Sequence, residues 1–313
     1  MKIGLLGCYG FIGANILKRL VDSNHDVVGI DRYVSVPQTR RNLIPAGFTA
    51  ISADIIDTTS FVKHLRNVEV IIFAAGNPAP ASSSFDLLFG EELRVIVQLL
   101  EFISHDNPTS KLIFISSGGT VYGPRNMNDY CFEDEKVHPI SLYGVMKTSC
   151  EAAIEAYVYQ YGLKSIILRV ANPYGVGQDP NANQGLIPVV LKKLMLKEEI
   201  KVWGKGDTYR DYLFIDDFCD LVEIMITKDT VDCIYNVGSG KAVSTIEIIN
   251  VAAEITKTKP LIKFEAMRPQ DIRWNALSIE KAHTMLHWTP KTSLETGISK
   301  VYSWIKSLNI KGD

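Results

Sequence analysis

Apolar and polar positions alternate along the first half of the chain in two rhythms. Short apolar runs at residues 1–6, 27–30, 48–53, 68–75, 111–116 and 165–170 have the length of strands. The run at 68–75 is almost wholly apolar, as a strand covered on both faces requires. Between the runs, residues 14–20 (with Ile16, Leu17 and Leu20 on one face), 60–65, 85–104 and 143–161 carry helical spacing. Residues 33–47 are polar and contain Pro37 and Pro45, a loop with room for a short helix. Strand and helix in strict alternation predict an α/β fold built on a doubly wound parallel sheet. After Asn172 the texture changes. Residues 173–184, rich in Gly, Pro and Asn, read as a crossing loop, 186–196 as a helix, 200–203 as a strand, 216–226 as a helix and 233–237 as a strand that rejoins the main sheet. The remainder is mixed.

The first junction carries chemistry. An apolar strand runs into Gly7-Cys8-Tyr9-Gly10-Phe11-Ile12-Gly13, and helical spacing follows at once. Glycine permits a tight turn and lets backbone approach a ligand. A helix start offers free N–H groups and a positive dipole end to a pyrophosphate. The spacing is G-x-x-G-x-x-G, and the second strand ends in Asp31, placed to accept hydrogen bonds from an adenosine ribose. Asp31 repels a 2′-phosphate and favours NAD. Adjacent Arg32 can accommodate one, so NADP stays open. The expected organisation is a dinucleotide-binding Rossmann domain over 1–171, rejoined by about 212–240, with a smaller mixed lobe from 172–211 and 241–313 and a ligand cleft between them.

Composition narrows the classes. The chain has 313 residues, 46% hydrophobic, with a formal net charge of −2. That balance gives no electrostatic footprint for nucleic acid and no polybasic run for a membrane surface. No apolar stretch is long enough to span a bilayer, and the glycine-broken start reads as a core strand rather than a signal peptide. The 5 cysteines are scattered, with no C-x-x-C and no Cys/His cluster. Neither a disulfide framework nor a metal site is expected, and a reducing cytoplasm fits.

Tyr143 and Lys147 stand four apart in a predicted helix and share one face. An ammonium beside a phenol stabilises the phenolate, so Lys147 is expected to lower the Tyr143 pKa. The pair can then give or take a proton near neutral pH, and Lys147 can also hold the hydroxyls of a nicotinamide ribose.

With these residues the chain resembles the extended short-chain dehydrogenases/reductases, in the group of the nucleotide-sugar 4-epimerases (UDP-glucose 4-epimerase-like). The matching motifs run the whole length: the glycine turn, Asp31, Asp54-Ile55, Phe73-Ala74-Ala75-Gly76, Ser116 to Gly123, Tyr143-x-x-x-Lys147 with Glu151, and Arg169-Val170-Ala171-Asn172-Pro173-Tyr174-Gly175. Later come Gly185-Leu186-Ile187-Pro188, Trp203-Gly204, Arg210-Asp211-Tyr212, Tyr235 to Gly240 and Arg268-x-x-Asp271. The resemblance implies that Phe11, Ile12 and Val170 join the glycines around the cofactor, that Asp54 and Ile55 meet the adenine, and that Ala74 and Ala75 line the site. It implies a diphosphate bonded by Asn172, a nucleobase held by Gly185, Leu186, Val202 and Trp203, phosphates clamped by Arg210 and Arg268, and a nucleoside contact at Asp271. Guanidinium groups suit a multiply charged diphosphate on their own chemistry. A homodimer through helices 85–104 and 143–161, and a role in carbohydrate metabolism such as polysaccharide precursor biosynthesis, are implied in the same way.

Three positions depart from the pattern. Many relatives carry Ser or Thr twenty-five residues before the tyrosine, where this chain has Gly118. Ser117 should point to the other side of a strand end, which leaves Thr120, or a bound water, to reach the reacting sugar hydroxyl. Gly118 and Gly119 in succession suggest close backbone approach or positive φ. Glu91-Glu92-Leu93-Arg94 stands where relatives often have Asn near the cofactor. Gly119 and Thr120 occupy the places of the acidic pair that sugar 4,6-dehydratases use, which argues against dehydration. The expected activity is an NAD-dependent epimerisation at C4 of a nucleotide-diphosphate sugar through a transient 4-keto sugar. The alternatives are an NAD(P)H-dependent reductase of nucleotide 4-keto-6-deoxysugars and, from another class, a non-catalytic dinucleotide-binding protein.

Overall fold

The computed structural model describes residues 1–32, 35–76, 85–182, 184–228, 233–267 and 272–308. In chain order the first elements are β1 (Lys2–Leu6), α1 (Phe11–Asp22), β2 (Asp26–Asp31), β3 (Ile51–Ser52), α2 (Thr58–Phe61), β4 (Val70–Phe73), α3 (Phe85–Asp106), β5 (Lys111–Ser117), α4 (Leu142–Tyr161) and β6 (Lys164–Val170). The later ones are β7 (Asn172–Tyr174), α5 (Leu186–Leu196), β8 (Glu199–Trp203), β9 (Tyr209–Phe214), α6 (Ile215–Thr227), β10 (Cys233–Val237), β11 (Ala242–Ser244), α7 (Thr245–Thr256), β12 (Leu261–Glu265), β13 (Trp274–Asn275), α8 (Glu280–Leu286) and α9 (Leu294–Ser307).

The main sheet has seven strands in the order β10-β6-β5-β4-β1-β2-β3. β1 pairs in parallel with β2 and β4, β2 with β3, β4 with β5, and β5 with β6. The chain therefore starts mid-sheet, winds outward through β2 and β3, and returns to β4 on the other side of β1. That reversal is the switch point beside which such sheets bind ligands. Gly7 follows β1 there, and Ala74 follows β4.

The chain divides into two compact units. The first comprises Met1–Gly123, Glu133–Val170 and Cys219–Asn236, and the second Pro124–Phe132, Ala171–Phe218 and Val237–Asp313. In the first, the apolar faces of β4 and β5 meet the stripe Val95, Ile96 and Leu99 of α3 and Met146 and Ile154 of α4 in one core. In the second, β9 is flanked by β11 (antiparallel), β13 and β7, and β8 pairs with β12. Its core is built by α5, α7 and α9 through Leu191, Ile248, Ile249, Ile298 and Trp304.

Two predicted boundaries differ. The strand expected over 48–53 is only Ile51–Ser52, because Phe48 N–H closes a turn onto the Pro45 carbonyl at 3.1 Å. The crossing loop expected from 173 begins as β7, which finds a partner in β9. Among the described residues no helix is long and apolar enough to cross a membrane.

A buried polar network ties the first unit together. Arg169 on β6 makes an ion pair with Glu151 on α4 at 2.8 Å, with side chains 5% and 4% exposed. Ser116 also hydrogen-bonds Glu151. Arg169 donates to the Tyr122 hydroxyl at 3.0 Å, and that hydroxyl donates to Asn236 at 2.7 Å. Removing one partner of a buried pair leaves the other charge stranded. Glu151→Ala should therefore cost about 3–5 kcal/mol, read as a lowered denaturation midpoint. A loss under about 1 kcal/mol would mean that water replaces the carboxylate.

Candidate active site

In the first unit, the turn after β1 is shaped by what a side chain would strike. Gly7 has φ +81° and its ideal Cβ would lie 2.8 Å from the Ala75 backbone. A Cβ at Gly13 would overlap the Gly7 carbonyl. Gly10 caps α1 with no side-chain hydrogen bond, and the first turn of α1 holds no acidic residue. The helix thus starts with backbone donors, uncapped by any side chain, over a glycine floor. Those are the requirements of a pyrophosphate site, so the residues present fit a dinucleotide. Phe11 and Ile12 are half-buried in this first turn.

Asp31 ends β2, 4% exposed, and accepts the Tyr9 N–H at 2.8 Å. Tyr9 in turn accepts the Ala50 N–H on its hydroxyl at 3.0 Å, and Arg40 donates to the Tyr9 carbonyl at 3.2 Å. Tyr9 and Arg40 were not singled out in the sequence. Their signal is weak: a tyrosine inside the glycine turn and a polar loop after Asp31. Arg32 is exposed. Asp54 is exposed and accepts the Ile56 N–H at 3.1 Å, while Ile55, Ala74 and Ala75 are half-buried and Val170 is buried at the end of β6.

Tyr143 and Lys147 lie on one face of α4, which begins at the Ser141 cap. The Lys147 Nζ sits 5.7 Å from the Tyr143 ring centroid. It donates to Glu92 of α3 at 2.6 Å and to the Ile115 carbonyl at 3.3 Å. Burial pushes the Lys147 ammonium down, but the Glu92 carboxylate outweighs it and holds the group above its ordinary value. Burial pushes the Tyr143 phenol up; Lys147 pulls it down, Glu92 pushes it up again, and a hydrogen bond with the Ser117 hydroxyl lowers it, leaving the net direction upward. Lys147 thus lowers the phenol as expected, but burial, the largest cause, together with Glu92 more than offsets it, so the expectation of a phenol that titrates near neutral pH is corrected.

Ser117 also corrects an expectation. Strand alternation aimed it away, yet its hydroxyl is close enough to the Tyr143 phenol to favour the charged form. The reason is local. β5 stops at Ser117, whose carbonyl accepts the N–H groups of Thr120 and Val121, each at 3.2 Å, so the chain is already turning. Thr120 directs its own hydroxyl to that same carbonyl at 3.4 Å. Gly118 donates to the Val170 carbonyl at 2.8 Å and so prolongs the pairing with β6. Neither Gly118 nor Gly119 is among the glycines with positive φ, so the positive-φ alternative is corrected.

Glu92 was noted only as a departure. Its spacing was the available signal, since Val95, Ile96 and Leu99 continue its stripe and are all 0% exposed.

In the second unit, Asn172 starts β7 and donates to the Asp211 carbonyl at 2.9 Å. Arg210 on β9 donates to the Tyr209 carbonyl at 2.8 Å and the Ile272 carbonyl at 2.6 Å. Its neighbour Asp211 is 0% exposed and accepts the Ser239 N–H and hydroxyl at 2.7 Å, the Gly240 N–H at 3.2 Å and the Leu277 N–H at 3.4 Å. Burial pushes the Asp211 carboxyl up while those donors pull it down. Gly185 takes φ +93° before α5, followed by half-buried Leu186. On β8 the side chains alternate, with Val202 1% exposed in the core and Trp203 37% exposed. Any ligand contact by Val202 is therefore made by its backbone. Arg268 and Asp271 lie outside the described residues.

A family model described as the NAD dependent epimerase/dehydratase family matches residues 3–238. The UDP-glucose 4-epimerase of Mycolicibacterium smegmatis is 30% identical over 315 residues, covering 98% of this chain and 99% of its own. A dTDP-4-dehydro-6-deoxyglucose reductase of Escherichia coli is 28% identical over 323 residues, covering 98% and 99%. The crystal structure of UDP-glucuronic acid 4-epimerase from Bacillus cereus, in complex with UDP-glucuronic acid and NAD, matches with a TM-score of 0.88 at 27% identity, covering 98% of this chain and 100% of that one.

The hydrogen bond from Ser117 stabilises the charged form of the phenol. Ser117→Ala should therefore raise the Tyr143 titration midpoint by about half a unit to one unit. It can be followed by NMR of tyrosine carrying ¹³C at the ring Cζ. Thr120→Val should leave that midpoint in place. The reverse pattern would assign the supporting hydroxyl to Thr120.

Proposed function

Because the chain belongs to the NAD-dependent epimerase/dehydratase family, we propose that it is a nucleotide-sugar 4-epimerase, which inverts C4 of a nucleotide-diphosphate sugar through a transient 4-keto sugar. The observation that carries this reading is the pairing of half-buried Tyr143 with buried Lys147 in a chain that has Gly119 and Thr120 where dehydration needs two acids. A phenol can take the proton of a sugar hydroxyl and hand it back, and no second proton donor is needed for inversion. The cofactor is NAD, which when bound accepts a hydride from a carbon bearing a hydroxyl and returns it.

The chain's own residues bind, orient and move protons. Gly7, Gly10 and Gly13, with Phe11 and Ile12, receive the pyrophosphate at the start of α1. Asp31 accepts from the adenosine ribose; Arg32 lies beside it. Asp54 and Ile55 meet the adenine, and Ala74, Ala75 and Val170 line the site. Lys147 orients the nicotinamide ribose, and Tyr143 exchanges the proton of the sugar 4-hydroxyl. Ser117 supports the phenol, and Thr120 stands on the same turn toward the sugar. Asn172 and Arg210 bond the diphosphate, and Gly185, Leu186, the Val202 backbone and Trp203 hold the base. Arg268 and Asp271 are assigned by motif alone. The relative from E. coli keeps a 4-keto-sugar reductase as the second reading, using the same residues with the cofactor consumed. The proposed assembly is a homodimer through α3 and α4, on which Tyr159 is 95% exposed.

The test is incubation with a panel of UDP- and dTDP-sugars, with and without added NADH, following C4 stereochemistry by NMR. Inversion without added cofactor supports the epimerase; dependence on stoichiometric NADH supports the reductase. Tyr143→Phe should lower turnover by at least about 100-fold while NAD affinity changes little. Substantial turnover in that variant would remove Tyr143 from its role. Because the phenol is held above its ordinary pKa, the proton-accepting form grows as pH rises. Turnover should therefore increase with pH between about pH 6 and 9, and a pH-independent rate would show that proton transfer from Tyr143 does not limit it. Arg210→Ala should weaken UDP binding by about 1.5–3 kcal/mol, measured by calorimetry. Unchanged affinity would make Arg210 a purely structural clamp.

A further inference from the structure

Glu92 is a carboxylate on the apolar stripe of α3. Val95, Ile96 and Leu99 follow it at helical spacing and are fully buried, and Glu92 itself is 7% exposed. A charge in that position requires a partner. The partner is Lys147, at 2.6 Å, with side chains 4% and 8% exposed. The ammonium is fixed further by the Ile115 carbonyl at 3.3 Å and by the Phe114 ring, whose centroid is 4.9 Å away. The backbone closes over the pair at Gly76, where a Cβ would lie 3.3 Å from the Glu92 Oε2 and 3.7 Å from the Lys147 Nζ. The proposed reaction uses Lys147 and Tyr143 and gives Glu92 no part.

We propose that Glu92 is a positioning residue for the Tyr143/Lys147 pair: its carboxylate anchors the ammonium and cancels part of its charge, so that Tyr143 rests as a neutral phenol and not as a standing phenolate. The inference rests on the reading of Tyr143 as the proton-transfer group. Its physics is that of replacing a buried monopole by an ion pair, whose field at the phenol is much weaker. Among the described residues the groups facing Tyr143 come from three elements. From α3 there is Glu92, from β5 the Ser117 hydroxyl, and from α4 itself Lys147 and Cys150. The Cys150 thiol is pushed up to about 12, by burial first and then by Glu92, and adds no charge near neutral pH. Glu92 is thus the acidic group among them that offsets the ammonium. A neutral amide at this position would leave the ammonium's field uncancelled, and the phenol would ionise at lower pH.

The experiment reads the phenol directly, in the full-length protein labelled with ¹³C at tyrosine Cζ, with Tyr143→Phe identifying the resonance. Glu92→Gln should move the Tyr143 midpoint down by at least about one unit, a tenfold gain in phenolate at a given pH. Glu92→Asp, which keeps the charge, should return most of the way to the parent value. Lys147→Met should move the midpoint up. Glu92→Gln combined with Lys147→Met carries no buried charge and should fall between the two single variants, which keeps the test available if Glu92→Gln alone does not fold. A midpoint unmoved by Glu92→Gln, or a double variant outside the interval set by Lys147→Met and the parent or Glu92→Gln, would overturn the proposal and leave Glu92 a structural counter-ion. The titration needs no substrate. Absence of nucleotide-sugar turnover would count against the proposed function, and an unmoved phenol against Glu92.

Discussion

Helix α4 carries charge inside the protein, and the first unit is arranged to make that tolerable. Tyr143, Lys147 and Glu151 follow one another at four-residue intervals, so they form a single stripe. Each finds its partner on a different neighbour: Ser117 at the end of β5, Glu92 on α3, and Arg169 on β6 with Ser116 on β5. Buried ion pairs of this kind contribute little net stability compared with apolar side chains of equal volume, but breaking one is costly. What they impose is geometry. α4 cannot slide or rotate against α3 and the sheet without stranding a charge. The phenol at the head of the stripe inherits that fixed position.

The other end of the same unit works with the opposite chemistry. At Gly7 and Gly13 neighbouring backbone already fills the place of a side chain, and at Gly10 a Cβ would lie 3.1 Å from the Gly7 carbonyl, so the turn presents backbone. A Cβ at Gly7 would strike the Ala75 backbone, which follows β4 on the far side of the switch point. The turn after β1 and the end of β4 are therefore mutually dependent. Asp31 and Tyr9 are joined by a hydrogen bond at 2.8 Å, so the residue expected to read the ribose is held by the turn expected to hold the phosphates. The cradle is one cooperative object, in keeping with a cofactor bound as a whole.

Most of this was legible in the sequence where local rules decide. The alternation of strands and helices, the glycine turn and the four-residue spacing of Tyr143 and Lys147 depend on period and residue type, which the sequence states directly. What escaped was decided by tertiary contact. Glu92 lies 55 residues before Lys147, and nothing local says that a carboxylate on α3 will meet an ammonium on α4. The direction of the Tyr143 shift escaped too, because burial, its largest cause, is also a tertiary property. With only Lys147 considered, the phenol should be acidic; with burial and Glu92 included it is not. Ser117 escaped because alternation of side chains holds within a strand and lapses where the chain turns, as it does after Ser117. β9 escaped as a strand because its residues, Tyr209 to Phe214, show no clean alternation, and its pairing depends on three strands distant in sequence.

In the second unit the same distinction between side chain and backbone sets what each position can offer. Strand alternation on β8 sends Val202 inward and Trp203 outward, so two adjacent positions offer a ligand different things: an amide from one and an indole from the other. Arg210 shows a further device. One of its nitrogens bonds two backbone carbonyls, those of Tyr209 and Ile272, which orients the guanidinium before any ligand arrives. A long cation that is already ordered loses little side-chain entropy on binding an anion. The neighbouring Asp211 makes this possible by leaving the arginine to the backbone: it turns into the core and accepts from Ser239, Gly240 and Leu277. The Asp211 carboxylate thereby fastens the turn beside β9 to the strand itself, while Arg210 is oriented by two carbonyls.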